Sequence, residues 1–157
     1  MNADMLRVIE NLDLPFPWET NGRGQIIMTP VSYDHGNRVI RLDRYMARIA
    51  PDWEGVTELG IYTSDGVKAP DMILASPAYH ARHKNIRGYV SEAPEICIEV
   101  MSPSNSWQEM YEKMPLYFEV GALEVWIVDT EGGISFFAAG NERLSKIRLI
   151  PTAPESI

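Results

Sequence analysis

A mixed α/β domain is the fold class that the sequence predicts, and three observations predict it. Short apolar runs with a period of two lie at 67–75 and 95–101, with a third buried run at 123–128. Stretches with a helical period lie at 34–49 and from about 106 to 120. The two kinds interleave along the chain, as a central sheet flanked by helices requires. With 157 residues, 45 % of them hydrophobic, residues 1–157 fit a single domain with a substantial core.

Taken in order, residues 1–12 predict a short helix with Leu6 and Ile9 on one face, broken by Leu14-Pro15-Phe16-Pro17-Trp18. A strand follows at 24–29 and a turn at 30–34. The helix at 34–49 carries Val39, Leu42, Met46 and Ile49 as its apolar stripe, with Arg38, Arg41, Arg44 and Arg48 mostly beside it. His35, at its start, reads as a cap or packing residue. Residues 58–62 form a plausible strand, and Ser64-Asp65-Gly66 signals a hairpin turn into the strand at 67–75, where Pro70 marks an entry or an edge. Residues 79–89 lack an apolar period and read as a loop. After the strand at 95–101, Ser102 to Ser106 supply a turn and a helix cap, and Ser106 with Glu109 has the form of a capping box, with Ser104 as a rival. Gly121 closes that helix. Two further strands are expected at 134–138 and 144–150, joined at Gly140-Asn141, and a frayed tail from 151.

Three charged residues stand where a core does not need them. Asp71 and Glu99 lie within apolar runs, and a buried charge is costly unless it is paired or binds a metal. Alternation places Glu99 with Glu95, Cys97 and Met101, opposite Ile96, Ile98 and Val100. If the two strands are neighbours, their carboxylates converge. On the following helix Glu109, Lys113 and Tyr117 recur every four residues and share a face. Buried salt bridges are the plain alternative to a metal site here. Glu95 reads as a rim residue, and Cys97 as buried structure rather than a nucleophile, because neighbouring carboxylates raise a thiol pKa.

The run PDMIL, then PEICIEVMSPS, then the helix spacing E-x3-K-x3-Y-x3-G, then EVWIVD, resembles the Uma2 family, also called DUF820, over roughly residues 19–140. That resemblance implies the restriction-endonuclease-like fold of the PD-(D/E)xK nucleases: a central mixed β-sheet flanked by helices, with additional strands at both ends. It implies an endonuclease that hydrolyses DNA phosphodiesters with Mg2+, or Mn2+, as cofactor. Asp71 and Glu99 match the metal-binding acids, with the backbone carbonyl of Val100 beside them. Glu19 is a candidate third acid, a solvated loop carboxylate being the alternative. The lysine usual two residues after the second acid would fall at Met101; the resemblance puts it instead on the helix, as Lys113, to stabilise charge or orient water. Glu109 and Tyr117 are secondary candidates, Glu109 for pairing with Lys113. Pro115, inside the same helix, predicts a kink. A homodimer follows by analogy.

Charge and composition limit the alternatives. With 22 acidic and 14 basic side chains the net charge is −8, the wrong sign for a protein that coats DNA. An enzyme needs only a local basic patch, and His80, Arg82, His83, Lys84 and Arg87 are candidates for one, with a solvated loop as the alternative; the helix arginines at 38–48 are another. DNA is the expected partner, RNA the variant of it. A zinc site at His80 and His83 is disfavoured, since no cysteine or acid stands at a suitable spacing. The single cysteine, and the lack of a signal-like or membrane-length apolar run, predict a cytoplasmic protein with no membrane partner. Two function classes remain: a metal-dependent endonuclease, and a non-catalytic binding or assembly protein that retains the nuclease fold.

Overall fold

The computed structural model describes residues 8, 11–15, 17–28 and 30–157; the helix expected at 1–12 falls almost wholly outside them. The elements in order are β1 (Trp18–Thr20), β2 (Ile26–Met28), α1 (Tyr33–Ile49), β3 (Glu54–Val56), β4 (Ile61–Thr63), β5 (Gly66–Lys68), β6 (Met72–Ala75), α2 (Pro77–His83), β7 (Ile96–Val100), α3 (Trp107–Glu119), β8 (Glu124–Val128), β9 (Ile134–Ala138) and β10 (Glu142–Arg143). A six-stranded mixed sheet runs β10-β9-β8-β7-β6-β3, and β1–β2 and β4–β5 form two separate hairpins. Strand β7 pairs parallel with β8 across the α3 crossover and antiparallel with β6.

Side-chain alternation in β7 divides the core. Ile96, Ile98 and Val100 pack with Val39, Leu42 and Met46 of α1. Cys97 packs on the other face with Met110, Met114 and Tyr117 of α3. Glu99 shares the α3 face and faces the crossover helix. Helix α3 opens with the expected capping box: Ser106 Oγ accepts from Glu109 N, and the Glu109 carboxylate accepts from Ser106 N. Pro115 lies inside α3 and cannot donate to the carbonyl of Tyr111, one turn back. That carbonyl accepts instead from Asn141 Nδ2 at 3.0 Å, so a loop side chain replaces the missing helix bond.

Several boundaries differ from the expectation, each for a local reason. The run at 67–75 is two strands: β5 belongs to the small hairpin and β6 to the main sheet, and they part at Ala69-Pro70, where proline has no N–H for a ladder. Asp71 therefore stands at the mouth of β6. The β4–β5 turn needs Gly66, whose φ is 88° and where a Cβ would lie only 2.5 Å from Thr20 Oγ1. Of the run at 58–62 only residues 61–62 are strand, as the start of β4; β3, at 54–56, precedes the run and pairs with β6, and β2 gains β1 as a partner. The first part of the loop expected at 79–89 is helical, because Ser76 Oγ accepts from Tyr79 N and Pro77 starts the turn. Residues 144–150 do not form a strand; the N–H groups of Arg148 and Leu149 donate to the buried Glu124 carboxylate instead of a ladder.

Candidate active site

At the mouth of β6 and the end of β7, a cavity of about 480 Å3 is lined by Glu19, His35, Asp71, Glu99 and Lys113. Each arrives on a different element. Glu19 comes from β1 and is tied down by Ala69 N, which donates to Oε1 at 2.8 Å. Asp71 bridges two elements: Oδ2 accepts from Val100 N at 2.7 Å, and Oδ1 lies 3.0 Å from His35 Nε2. Lys113 reaches from α3, placing Nζ 2.7 Å from Glu19 Oε1 and 2.9 Å from Glu99 Oε1. The buried Tyr117 hydroxyl donates to the same Glu99 oxygen.

Three carboxylates thus share a small volume with one lysine and one histidine. Burial pushes the Glu99 carboxyl up to about 7; Lys113 pulls it down, while the charges on Asp71 and Glu19 push it further up. Burial acts to lower the Lys113 pKa, yet Glu99 and Glu19 more than offset it, so the ammonium is held above its ordinary value. The hydrogen bond with Asp71 raises His35 above 6.5 against the effect of burial. Burial raises Tyr117, and Glu99 adds to it, so the phenol stays a donor.

Of the residues singled out in the sequence, the fold brings Asp71, Glu99, Val100, Glu19 and Lys113 to this cavity, with Tyr117 behind Glu99. Glu109 lines it too, but its carboxylate closes the helix cap, and Lys113 is engaged by Glu19 and Glu99 rather than by Glu109. The basic stretch lies elsewhere: Arg82 and His83 pair with Glu92, and His80 Nε2 is 3.5 Å from Glu54. Lys84 and Arg87 are exposed and do not line the cavity. Glu95 accepts from Ser76 N and Oγ, away from the cavity. His35 is the site residue that sequence reasoning missed. It follows Ser32 by three places, and the Ser32 cap fixes its backbone, but no local pattern reveals a partner 36 residues away.

The Uma2 family model, described as "Putative restriction endonuclease", matches residues 13–147. The chain belongs to the Uma2 family. A solved structure described as a "putative nuclease belonging to DUF820", from Anabaena variabilis, is similar in fold, with TM-score 0.75 and 15 % identity over 96 % of this chain and 92 % of that one. No curated protein matches. In this Uma2 chain Met101 is buried against the α3 side of the sheet, only 5 % exposed, and the cation at the site comes from α3.

The donor set of this Uma2 site fits a hard divalent cation. Among the described residues no three His, Cys, Asp or Glu side chains form a ready-made metal cage. Two acids meeting at a cavity suit Mg2+, which keeps several waters and uses one or two carboxylates, better than zinc. The bonds already made to Asp71 and Glu99 leave lone pairs on their oxygens. Burial, with Asp71 and Glu19 adding to it against the pull of Lys113, disfavours the Glu99 carboxylate, and a divalent ion would favour it.

Proposed function

We propose that this protein is a metal-dependent endonuclease that hydrolyses DNA phosphodiesters at the Asp71–Glu99–Lys113 cavity. The observation that carries the reading is Lys113 Nζ, 2.9 Å from the buried Glu99 in the cavity that Asp71 also lines. Asp71 and Glu99, with the Val100 carbonyl beside them, would hold Mg2+ or Mn2+, which would supply positive charge at the phosphate and a more acidic water. His35 and Val100 N fix both oxygens of Asp71, so its orientation is set before any ligand arrives. Tyr117 and Lys113 hold Glu99 in the same way, and Lys113 keeps a full positive charge to place against developing negative charge on phosphoryl oxygens. Glu19 also holds the ammonium, with Oε1 2.7 Å from Nζ.

A second reading, a non-catalytic protein of the same fold, is favoured by one observation. Lys113 is bound by two carboxylates, so its charge is already matched within the protein. The test is nicking of supercoiled plasmid by purified protein with Mg2+ or Mn2+, beside Asp71→Ala prepared identically. Metal-dependent nicking that the variant lacks supports the endonuclease. Equal nicking by both, or none by either at any metal concentration, counts against it.

A further inference from the structure

We infer that the solvent face of α1 is a track for the phosphate backbone of duplex DNA, leading away from the cavity; the inference rests on the nuclease reading for its choice of partner. Helix α1 begins beside the cavity, where His35 binds Asp71, and runs for 17 residues. His35, Val39, Leu42 and Met46 follow its inner stripe, and the last three are buried. Arg41, Arg44 and Arg48 fall on the opposite side, all exposed, at spacings of three and four that keep them together. None makes an ion pair among the described residues, although acids outnumber bases 22 to 14 in the chain.

Arg23, Arg38, Lys84, Arg87, Arg143 and Lys146 also lack an ion pair among the described residues, and what sets Arg41, Arg44 and Arg48 apart is that they share one face of one helix. The ion-paired cations lie elsewhere: Lys68 with Asp65, Arg82 with Glu92, Arg148 with Glu142, and Lys113 with Glu19 and Glu99. Both acids of α1 leave the stripe alone, since Asp34 lies in the first turn and Asp43 is half-buried towards Gly55. The stripe also has shape. Arg41, Arg44 and Arg48 line a shallow groove with Tyr45, closed on the other side by Ser156 and Ile157. The Arg48 guanidinium stacks 5.0 Å from the Tyr45 ring centroid, which restrains it without neutralising it. Between Arg41 and Arg48 the helix rises about 10 Å, a straight cationic edge suited to a row of phosphates.

The test is salt-dependent binding, read without cleavage. Fluorescence anisotropy of a labelled duplex in EDTA, over a NaCl series, gives the slope of log Kobs against log salt. Each phosphate contact contributes about 0.9 to that slope on duplex DNA and about 0.7 on single strands. The triple variant Arg41→Gln, Arg44→Gln, Arg48→Gln is expected to lower the duplex slope by about 2.7. The matching triple lysine variant keeps the charge and is expected to restore most of it. Lys84→Gln with Arg87→Gln, on the other basic stretch, is expected to leave it unchanged. An unchanged slope in the glutamine triple overturns the inference, as does an equal loss in the Lys84 and Arg87 pair, the absence of parent binding, or binding confined to single strands. Cleavage is read separately: an unchanged slope with metal-dependent nicking intact sinks the track alone, and a lowered slope with no nicking sinks the nuclease reading alone.

Discussion

Replacing Lys113 with methionine, in metal-free protein, isolates the cation on which the site is built. Methionine keeps most of the stem's volume, so the change removes mainly Nζ, which binds Glu19 at 2.7 Å and Glu99 at 2.9 Å. Breaking a buried pair from one side costs about 3–5 kcal/mol when the remaining charge cannot escape. Glu19, 22 % exposed, is partly hydrated, so most of the penalty falls on Glu99, 7 % exposed. Glu99 has an escape, because it can bind a proton. Its folded-state pKa, about 7, lies above the ordinary 4.5, so the stability linked to it is fully present below pH 4.5 and is lost as pH rises through about 7. Without Lys113 the folded value moves higher and the loss extends further, by up to about 1.4 kcal/mol per pH unit. The variant is therefore expected to lose about 1–2 kcal/mol near about pH 5.5 and about 3–5 kcal/mol near about pH 8.5. Urea unfolding in EDTA at both pH values measures this, and adding Glu99→Gln to the variant should flatten the difference. A loss that does not change with pH, or one below about 1 kcal/mol at the higher pH, refutes the reasoning.

His35→Gln is expected to remove a pH step in stability: His35 is raised above 6.5 by Asp71, so its contribution is fully present below pH 6.5 and lost as pH rises through the higher folded value, which thermal melts in EDTA across that range would show. Asn141→Ala is expected to cost about 1–2 kcal/mol, because it removes the donor to Tyr111 O and puts alanine at φ of 57°, whereas Asn141→Gly loses only the bond. A double-mutant cycle with Pro115→Ala, which restores the helix N–H, should show coupling between positions 115 and 141. Mg2+ at a hundred times its dissociation constant is expected to raise parent stability by about 2.7 kcal/mol, seen as a melting shift of about 5–10 °C that Asp71→Ala abolishes.

The sequence was most informative where a short-range rule decides. Period-two alternation put Glu99 on the face of Cys97, and the fold has Cys97 in the α3-side core. The Ser106–Glu109 box set the start of α3, and Lys113 and Tyr117, four residues apart, both reach Glu99. The rest depends on contacts that no local pattern encodes. His35 meets Asp71 across 36 positions, and Glu19 meets Lys113 only because β1 folds back beside Ala69. Residues 144–150 mislead because Leu144, Ile147 and Ile150 are apolar and buried, yet at a spacing of three rather than a strand's two, while two backbone donors bind Glu124. Ser76-Pro77 is a helix start written in the sequence, but the seven-residue helix that follows is too short to display an apolar period.

The helix-borne Lys113 is the group on which the proposed chemistry depends. The most direct measurement is the rate of metal-dependent plasmid nicking by Lys113→Met beside the parent, at saturating Mg2+ and a pH where the variant is folded. Loss of charge stabilisation at the phosphate predicts a fall of about 100-fold or more in rate, with metal binding, followed by the Mg2+-induced melting shift, retained. Nicking at the parent's rate would contradict the assignment of Lys113 and leave it a structural partner of Glu19 and Glu99.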